Sequence, residues 1–156
     1  MKKYEFKFWH YLLLLVFLLV IMFTKNHIEY KREVNRVLSE ITVENIDSLE
    51  VTPQLSFDQK KLETIEIDDK AEIEQFVSLL HEMKWKKTSG SVSWSTDYKN
   101  YNFVLRGDFE FISIHLVQNK HITLTYYTEE KGFQHCYLKV KWPSDMGHNI
   151  FEFLEE

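Results

Sequence analysis

The sequence predicts an α+β protein that consists of an N-terminal transmembrane helix and a small domain, in which one main helix covers an antiparallel β-meander. Three observations predict this fold. Residues 8–24 are almost entirely apolar, residues 69–85 repeat large apolar side chains at helical spacing, and residues 101–142 alternate between apolar and polar side chains. The roughly 116 residues that follow the first 40 suffice for one domain core.

The apolar N-terminal segment is the clearest feature of the chain. Residues 8–23 contain one plainly polar side chain, His10. Their helix would be about 24 Å long, against about 30 Å of bilayer hydrocarbon. Trp9 and Tyr11 are predicted to lie at the membrane interface, where aromatic rings are enriched. The strictly apolar core at 12–23 also has the length of the hydrophobic region of a signal peptide, but residues 21–27 offer no small side chains for cleavage. We therefore expect a retained anchor.

The orientation of the anchor and the division of the chain follow from its basic residues. Three lysines precede the span and four basic residues follow it, so the two sides are nearly balanced. Moving the short N-terminal tail with its lysines across a membrane is costly, so we expect the N-terminus inside. This gives a cytoplasmic tail at 1–7, an anchor at 8–24, a helical stalk at 25–41 and an extracytoplasmic domain at 42–156, in the periplasm or at the cell surface.

The stalk carries an apolar stripe at helical spacing. Its members are Ile28, Val34, Val37, Leu38 and Ile41. We interpret this stripe as the side of a stalk helix that rests on the domain. The alternative is a seam for self-association or for a partner helix, although fewer than two clean heptads are visible.

Charge is unevenly distributed along the chain. The net charge of −5 divides into 7 Lys/Arg against 3 Asp/Glu in the first 39 residues and 12 against 21 in the remainder, or +4 and −9. An acidic domain repels phosphates, which excludes nucleic acid as a partner. The basic N-terminal part suits an anionic lipid bilayer, which is the first partner we expect. Cys136 is the only cysteine, so an intramolecular disulfide is excluded.

The sequence of the first half of the domain predicts two strands and one helix. The strands are expected at 46–51 and 62–67. Asp69 and Glu72 have the spacing of a capping box, which begins the helix at 69. The residues expected to face the core are Ile73, Phe76, Val77, Leu80 and Met83. Lys84, Lys86 and Lys87 suit the negative end of this helix, which Thr88-Ser89-Gly90 ends.

The first hairpin of the meander is predicted at Gly107-Asp108, as a two-residue turn. This turn pairs Phe103 with Ile112 and Tyr101 with Ile114. We expect residues 91–97 to extend the meander by a further strand. Pro143 is expected to end the last strand and Ser144 to begin a short terminal helix, whose inward residues would be Met146, Ile150, Phe153 and Leu154.

The second and third hairpins are predicted from the distribution of apolar residues. A three-residue loop at 119–121 pairs Leu116 with Leu124, whereas a two-residue loop would set apolar side chains opposite polar ones. A three-residue loop at 130–132, in which the glycine takes the left-handed conformation, pairs Leu124 with Leu138. The resulting core face is Phe103, Ile112, Ile114, Leu116, Ile122, Leu124, Leu138 and Val140.

The opposite face of the meander carries the candidate functional residues. It comprises Ser113, His115, Thr123, Thr125, Tyr127, His135 and Tyr137. We predict a binding surface for a protein or a small ligand at His115, Thr125, Tyr127, His135 and Tyr137. The alternative is an ordinary solvated sheet face, because threonine and tyrosine favour strands by propensity alone.

The sequence gives little evidence for a catalytic site or a metal-binding site. His115 and His135 are expected on strands separated by a third one, about 9–10 Å apart, which is too wide for an easily shared metal ion. Cys136 points away from its neighbour His135 because adjacent strand residues face opposite sides. Asp68-Asp69 lacks the ligand spacing of a calcium loop, and zinc-protease, phosphate-loop and hydrolase motifs are missing from the sequence. We expect no catalytic residues, no metal, no cofactor and no enzymatic activity.

Three functions are considered for a small acidic domain on an anchor. The leading hypothesis is a single-pass envelope protein whose outer domain binds a protein partner, as an immunity, inhibitor or assembly-accessory factor. The alternative is an extracytoplasmic sensor or carrier that binds a small ligand on the polar sheet face. A hydrolase is the third reading, and the sequence offers no motif for it.

Overall fold

The computed structural model describes residues 2–54, 63–88, 100–117 and 120–143, and it confirms the α+β layout. Two helices, α1 (Lys2–Glu40) and α2 (Lys70–Glu82), accompany a short 3₁₀ turn at Val43–Asn45. The strands are β1 (Ile46–Gln54), β2 (Ile65–Ile67), β3 (Lys84–Lys87), β4 (Asn100–Gly107), β5 (Ile112–Val117), β6 (His121–Thr128) and β7 (Gly132–Lys141). The predicted strand at 91–97 and the predicted terminal helix after Ser144 lie outside the described residues.

Helix α1 runs without a break through the predicted anchor and the predicted stalk. It contains a stretch that is long and apolar enough to span a membrane, with a mean hydropathy of 2.0 and none of it buried. Trp9 and Tyr11 are exposed at its N-terminal side. The chain divides into two compact units, Met1–Val37 and Leu38–Glu156. Whether the stalk stripe rests on the domain or mediates association stays a prediction.

Helix α2 begins where the capping residues predict. The side chain of Asp69 accepts hydrogen bonds from the backbone N–H groups of Ala71 at 2.8 Å and Glu72 at 3.2 Å. Its apolar stripe is buried, as expected from the helical spacing, and consists of Ile73, Phe76, Val77, Leu79 and Leu80. The helix ends at Glu82, and Met83 is already extended.

The segment that follows α2 is a strand and not the helix end that the sequence predicts. Lys84, Lys86 and Lys87 do not extend the helix end but belong to strand β3, which pairs with β7. Trp85 lies opposite Val140 on the core side, so the segment alternates like a strand rather than a helical turn. The gain from sheet pairing therefore outweighs the favourable interaction of lysines with a helix end.

The seven strands form one antiparallel sheet in the order β2-β1-β4-β5-β6-β7-β3. Helix α2 covers one side of it, with the ring of Phe76 5.0 Å from that of Phe103. All eight residues of the predicted core face are buried, at 6% exposure or less. Cys136 is also buried on this side, which is its predicted face, and it lies opposite Leu124. The sheet and α2 thus build the domain core.

The first hairpin pairs differently from the prediction. Phe103 lies opposite Ile114 rather than Ile112, a shift of two residues. The reason is that Gly107 does not form a two-residue turn. It continues β4 and pairs with Ile46 of β1, while the N–H of Asp108 donates to the carbonyl of Asn45. The connection to β5 is consequently longer than predicted.

The second and third hairpins show the same shift of two residues. Leu116 lies opposite Ile122 rather than Leu124, and Leu124 lies opposite Cys136 rather than Leu138. The last pair of each hairpin, Val117 with His121 and Thr128 with Gly132, lies one position earlier in the chain than the predicted three-residue loops imply. A shift of two residues leaves every side chain on its predicted face, which explains why the core face is correct although the pairs are not.

Candidate functional site

The side of the sheet that faces away from α2 is called the polar face below, and it carries all five predicted binding residues. On β7 the residues of this face are Phe133, His135, Tyr137, Lys139 and Lys141. On β6 they are His121, Thr123, Thr125 and Tyr127, and on β5 they include Ser113 and His115. The alternation of side chains along each strand therefore brings the predicted residues onto one surface.

The centre of the polar face is a hydrogen-bonded row across three strands. Thr125 lies opposite both Ser113 and His135. Its hydroxyl is 3.0 Å from Nδ1 of His135, and the Ser113 hydroxyl donates to Oδ1 of Asn102 at 2.9 Å. This row presents hydroxyl and imidazole groups whose donor and acceptor roles can adapt to a bound molecule.

His115 belongs to the neighbouring row, where it lies opposite Asn102 and Thr123, with Tyr137 beyond. The predicted registers would instead have placed His115 opposite Thr125. Burial lowers the pKa of His115 below its ordinary value. Strand β6 separates it from the strand of His135, as expected. Within the described ranges, no three His, Cys, Asp or Glu side chains are grouped so that they could hold a metal ion.

An aromatic cluster lies at one end of the polar face. The ring of Phe133 meets those of Phe111 and Tyr127 edge-on, at centroid distances of 5.5 Å and 5.2 Å. Phe133 is 58% exposed and Tyr127 is 38% exposed. Exposed aromatic rings that already pack against one another are well suited to bury area against a partner at small entropic cost.

A group of lysines, called the lysine array below, lies at the opposite end. It consists of Lys84 and Lys86 on β3 and Lys139 and Lys141 on β7, which face each other in cross-strand pairs. All four are exposed. His121 lies opposite Lys139, and its pKa is lowered by burial and by the positive charges of Lys139 and Lys120.

Two buried polar atoms lack hydrogen-bond partners in the described row of the sheet that runs from Asn100 on β4 through Val117 and His121 to Lys139 of the lysine array. Asn100 is only 2% exposed, and its Oδ1 has no donor within the part of the chain that the structure describes. The same holds for Nδ1 of His121 among the described residues. Buried polar atoms are normally satisfied by protein, water or a ligand, so each of these two atoms is a candidate contact for a small polar molecule.

The aromatic cluster and the lysine array were not foreseen from the sequence. Phe133 shares the alternation of His135 and Tyr137 and could have been assigned to the polar face on that ground. The lysine array was not predicted because Lys84 and Lys86 were expected at the end of α2. The alternation of Trp85 between lysines was the available signal for a strand.

Comparison of the chain with protein-family models, with curated proteins and with solved structures finds no match. The polar face and the apolar segment of α1 are therefore the features of the molecule that bear on its function.

Proposed function

We propose that the protein is a single-pass membrane-anchored envelope protein whose outer domain binds a protein partner through the polar face. The domain would act as an immunity, inhibitor or assembly-accessory factor, without catalysis. The anchor at 8–24 would hold the domain at a membrane with the N-terminus inside and the domain outside the cytoplasm. The lipid bilayer and an envelope protein are thus its two partners.

The observation that carries this proposal is the exposed aromatic cluster of Phe111, Tyr127 and Phe133. Aromatic residues are enriched at the energetic centres of protein interfaces, whereas an ordinary solvated sheet face is polar. The cluster is continuous with the hydroxyl and imidazole row around Thr125 and His135. An apolar anchor point beside adaptable hydrogen-bonding groups is the usual composition of a protein-binding surface.

The proposal is tested by crosslinking the full-length protein in membranes and isolating it under denaturing conditions. We expect a stoichiometric envelope protein to be recovered. Replacing two rings of the aromatic cluster, in Y127A/F133A, should reduce its recovery at least about tenfold, because interface aromatics commonly contribute 2 kcal/mol or more each.

The matched control is I65A, which removes another exposed apolar side chain. Ile65 is 41% exposed and lies on β2, at the far edge of the sheet. Recovery should be unchanged in this variant. If no partner is recovered from the wild-type protein, or if both variants reduce recovery equally, the polar face is not the binding surface.

The small-ligand alternative is favoured by one observation, the buried Oδ1 of Asn100 and Nδ1 of His121, which lack partners in the described part of the chain. A ligand that donates hydrogen bonds would satisfy Asn100. A thermal-shift screen of small polar molecules tests this function. A stabilising compound should lose its effect in N100A, and a screen in which no compound raises the melting temperature would contradict a sensor or carrier role.

A further inference from the structure

The lysine array is unusual because it concentrates like charges on neighbouring strands. Lys84 lies opposite Lys141, and Lys86 lies opposite Lys139. Cross-strand neighbours are about 5 Å apart and alternate residues of one strand about 7 Å apart, so four positive charges share one small rectangle. Like charges placed directly opposite each other are destabilising. An arrangement of this kind is relieved when an anion lies over it.

The described residues do not supply that anion. None of the four ammonium groups forms an ion pair with a carboxylate in the described ranges. The acidic residues of the polar face lie elsewhere, with Glu50 on β1 and Glu66 on β2 at the far edge of the sheet. Glu50 is held there by Arg106 through two hydrogen bonds, at 2.8 and 3.2 Å. The polar face is therefore basic at one edge and acidic at the other.

The spacing of the lysines favours an extended protein segment as the ligand. Alternate side chains of an extended segment repeat at about 7 Å, as do Lys139 and Lys141 along β7. The same strand continues through Tyr137 and His135 to Phe133 of the aromatic cluster. One extended segment lying along β7 could thus place carboxylates over the lysine array and an apolar side chain on the aromatic cluster.

We propose that the lysine array binds an acidic segment of the protein partner, with aspartate or glutamate at alternate positions. This inference rests on the proposed function and adds the chemistry of the partner. Charge complementarity would orient the partner on the polar face, so that its acidic segment lies at β3 and is kept away from Glu50 and Glu66. The array is exposed, so its effect on affinity is moderate and depends on salt.

The first experiment uses poly-L-glutamate as the probe and the full-length protein in zwitterionic nanodiscs. Removing two charges in K86Q/K139Q should weaken binding about fivefold at low salt, since each exposed pair contributes up to about 1 kcal/mol. The control K31Q/K131Q removes the same charge from exposed lysines outside the array and should bind as the wild type does. Equal binding by both variants, or no binding at low salt, would overturn the inference.

Anionic vesicles distinguish a lipid surface from an acidic protein segment. The same nanodiscs are mixed with vesicles of phosphatidylglycerol or of phosphatidylcholine. We expect no array-dependent association with either. If phosphatidylglycerol vesicles associate and K86Q/K139Q abolishes this while poly-L-glutamate binding is unaffected, the array recognises lipid and the proposal is wrong.

A second measurement separates this inference from the proposed function. Recovery of the crosslinked partner is compared between K86Q/K139Q and K31Q/K131Q. A fall confined to K86Q/K139Q supports the inference. Equal recovery leaves the protein-binding function standing and rejects the acidic segment. If the wild type recovers no partner, the proposed function fails, and the poly-L-glutamate experiment still decides whether the array binds carboxylates.

Discussion

Gly107 is a residue at which the backbone leaves no room for a side chain. Its φ angle is +155°, and a Cβ built there would overlap the carbonyl oxygen of Asn45. That carbonyl also accepts a hydrogen bond from the N–H of Asp108. The close approach fixes the end of β4 against the start of β1, so a glycine is required for reasons of space as well as conformation.

The substitution G107A should therefore destabilise the domain by about 3 kcal/mol or more, because overpacking and backbone strain add. The control is G132A. Gly132 has a φ angle of +67°, but a Cβ there would meet nothing within 4 Å. Only the left-handed strain applies, which costs about 1–2 kcal/mol. Urea unfolding monitored by circular dichroism compares the two, and equal losses would contradict the close approach.

His115 predicts how stability depends on pH. Burial lowers its pKa in the folded protein below the ordinary value near 6.5. As the pH falls through the unfolded value, the unfolded chain binds a proton that the folded chain resists, so stability falls on acidification. The free energy of unfolding should decrease between about pH 7 and pH 5, and H115Q should reduce that decrease. An H115Q profile that matches the wild type would contradict this assignment.

The strand registers can be tested by designed disulfides between β6 and β7. Thr125 lies opposite His135, and the hydrogen bond from the N–H of Val140 to Lys120 places Thr125 and His135 in a non-hydrogen-bonded pair. Such pairs bring Cα atoms to about 4.5 Å, within the range of a disulfide. In a C136A background, T125C/H135C should oxidise readily.

The control pair is T125C/Y137C, which the register predicted from loop length would favour. Its cysteines would lie diagonally in the observed register, about 7 Å apart, too far for ready closure. Non-reducing electrophoresis after mild oxidation distinguishes the two pairs. Preferential closure of T125C/Y137C would show that the sheet register is wrong by two residues.

Periodicity predicted most of the elements and the two faces of the sheet. Asp69 and the apolar spacing behind it located α2, and alternation separated Leu124 from Thr125. The strand registers were harder to predict from the sequence. Gly107 pairs with a strand some sixty residues earlier in the chain, and local turn patterns do not encode this pairing. Strand β3 was missed because its lysines suit the negative end of a helix, although Trp85 alternates between them as in a strand. The five predicted residues therefore share one face of the sheet, but the aromatic cluster and the lysine array at the ends of that face were not predicted.

At the scale of the whole molecule, the apolar segment of α1 predicts membrane integration. Placing two arginines at its centre, in L15R/L18R, should cost about 5–7 kcal/mol of insertion free energy. We expect this variant to be released from membranes by alkaline carbonate, whereas I28R/N35R, outside the predicted span, should remain integrated. Release of both variants, or of neither, would contradict an anchor at 8–24.

The distribution of charge along the chain bears on the proposed orientation of the protein in the membrane. The N-terminal 39 residues carry a net charge of +4, whereas the remainder carries −9. In the proposed orientation the N-terminus stays inside, because moving the lysines of the short tail across a membrane is costly. A reporter fused after Glu156 should accordingly be active outside the cytoplasm, and activity confined to the cytoplasm would reverse the orientation.

Site-specific photocrosslinking in intact cells tests whether the polar face binds a protein partner, with p-benzoylphenylalanine introduced in turn at Phe133, His135 and Gln75. Gln75 is exposed on α2 and serves as the control. We predict one adduct of the same mass from Phe133 and His135 and none from Gln75. No adduct from the polar face, or the same adduct from Gln75, would contradict the account.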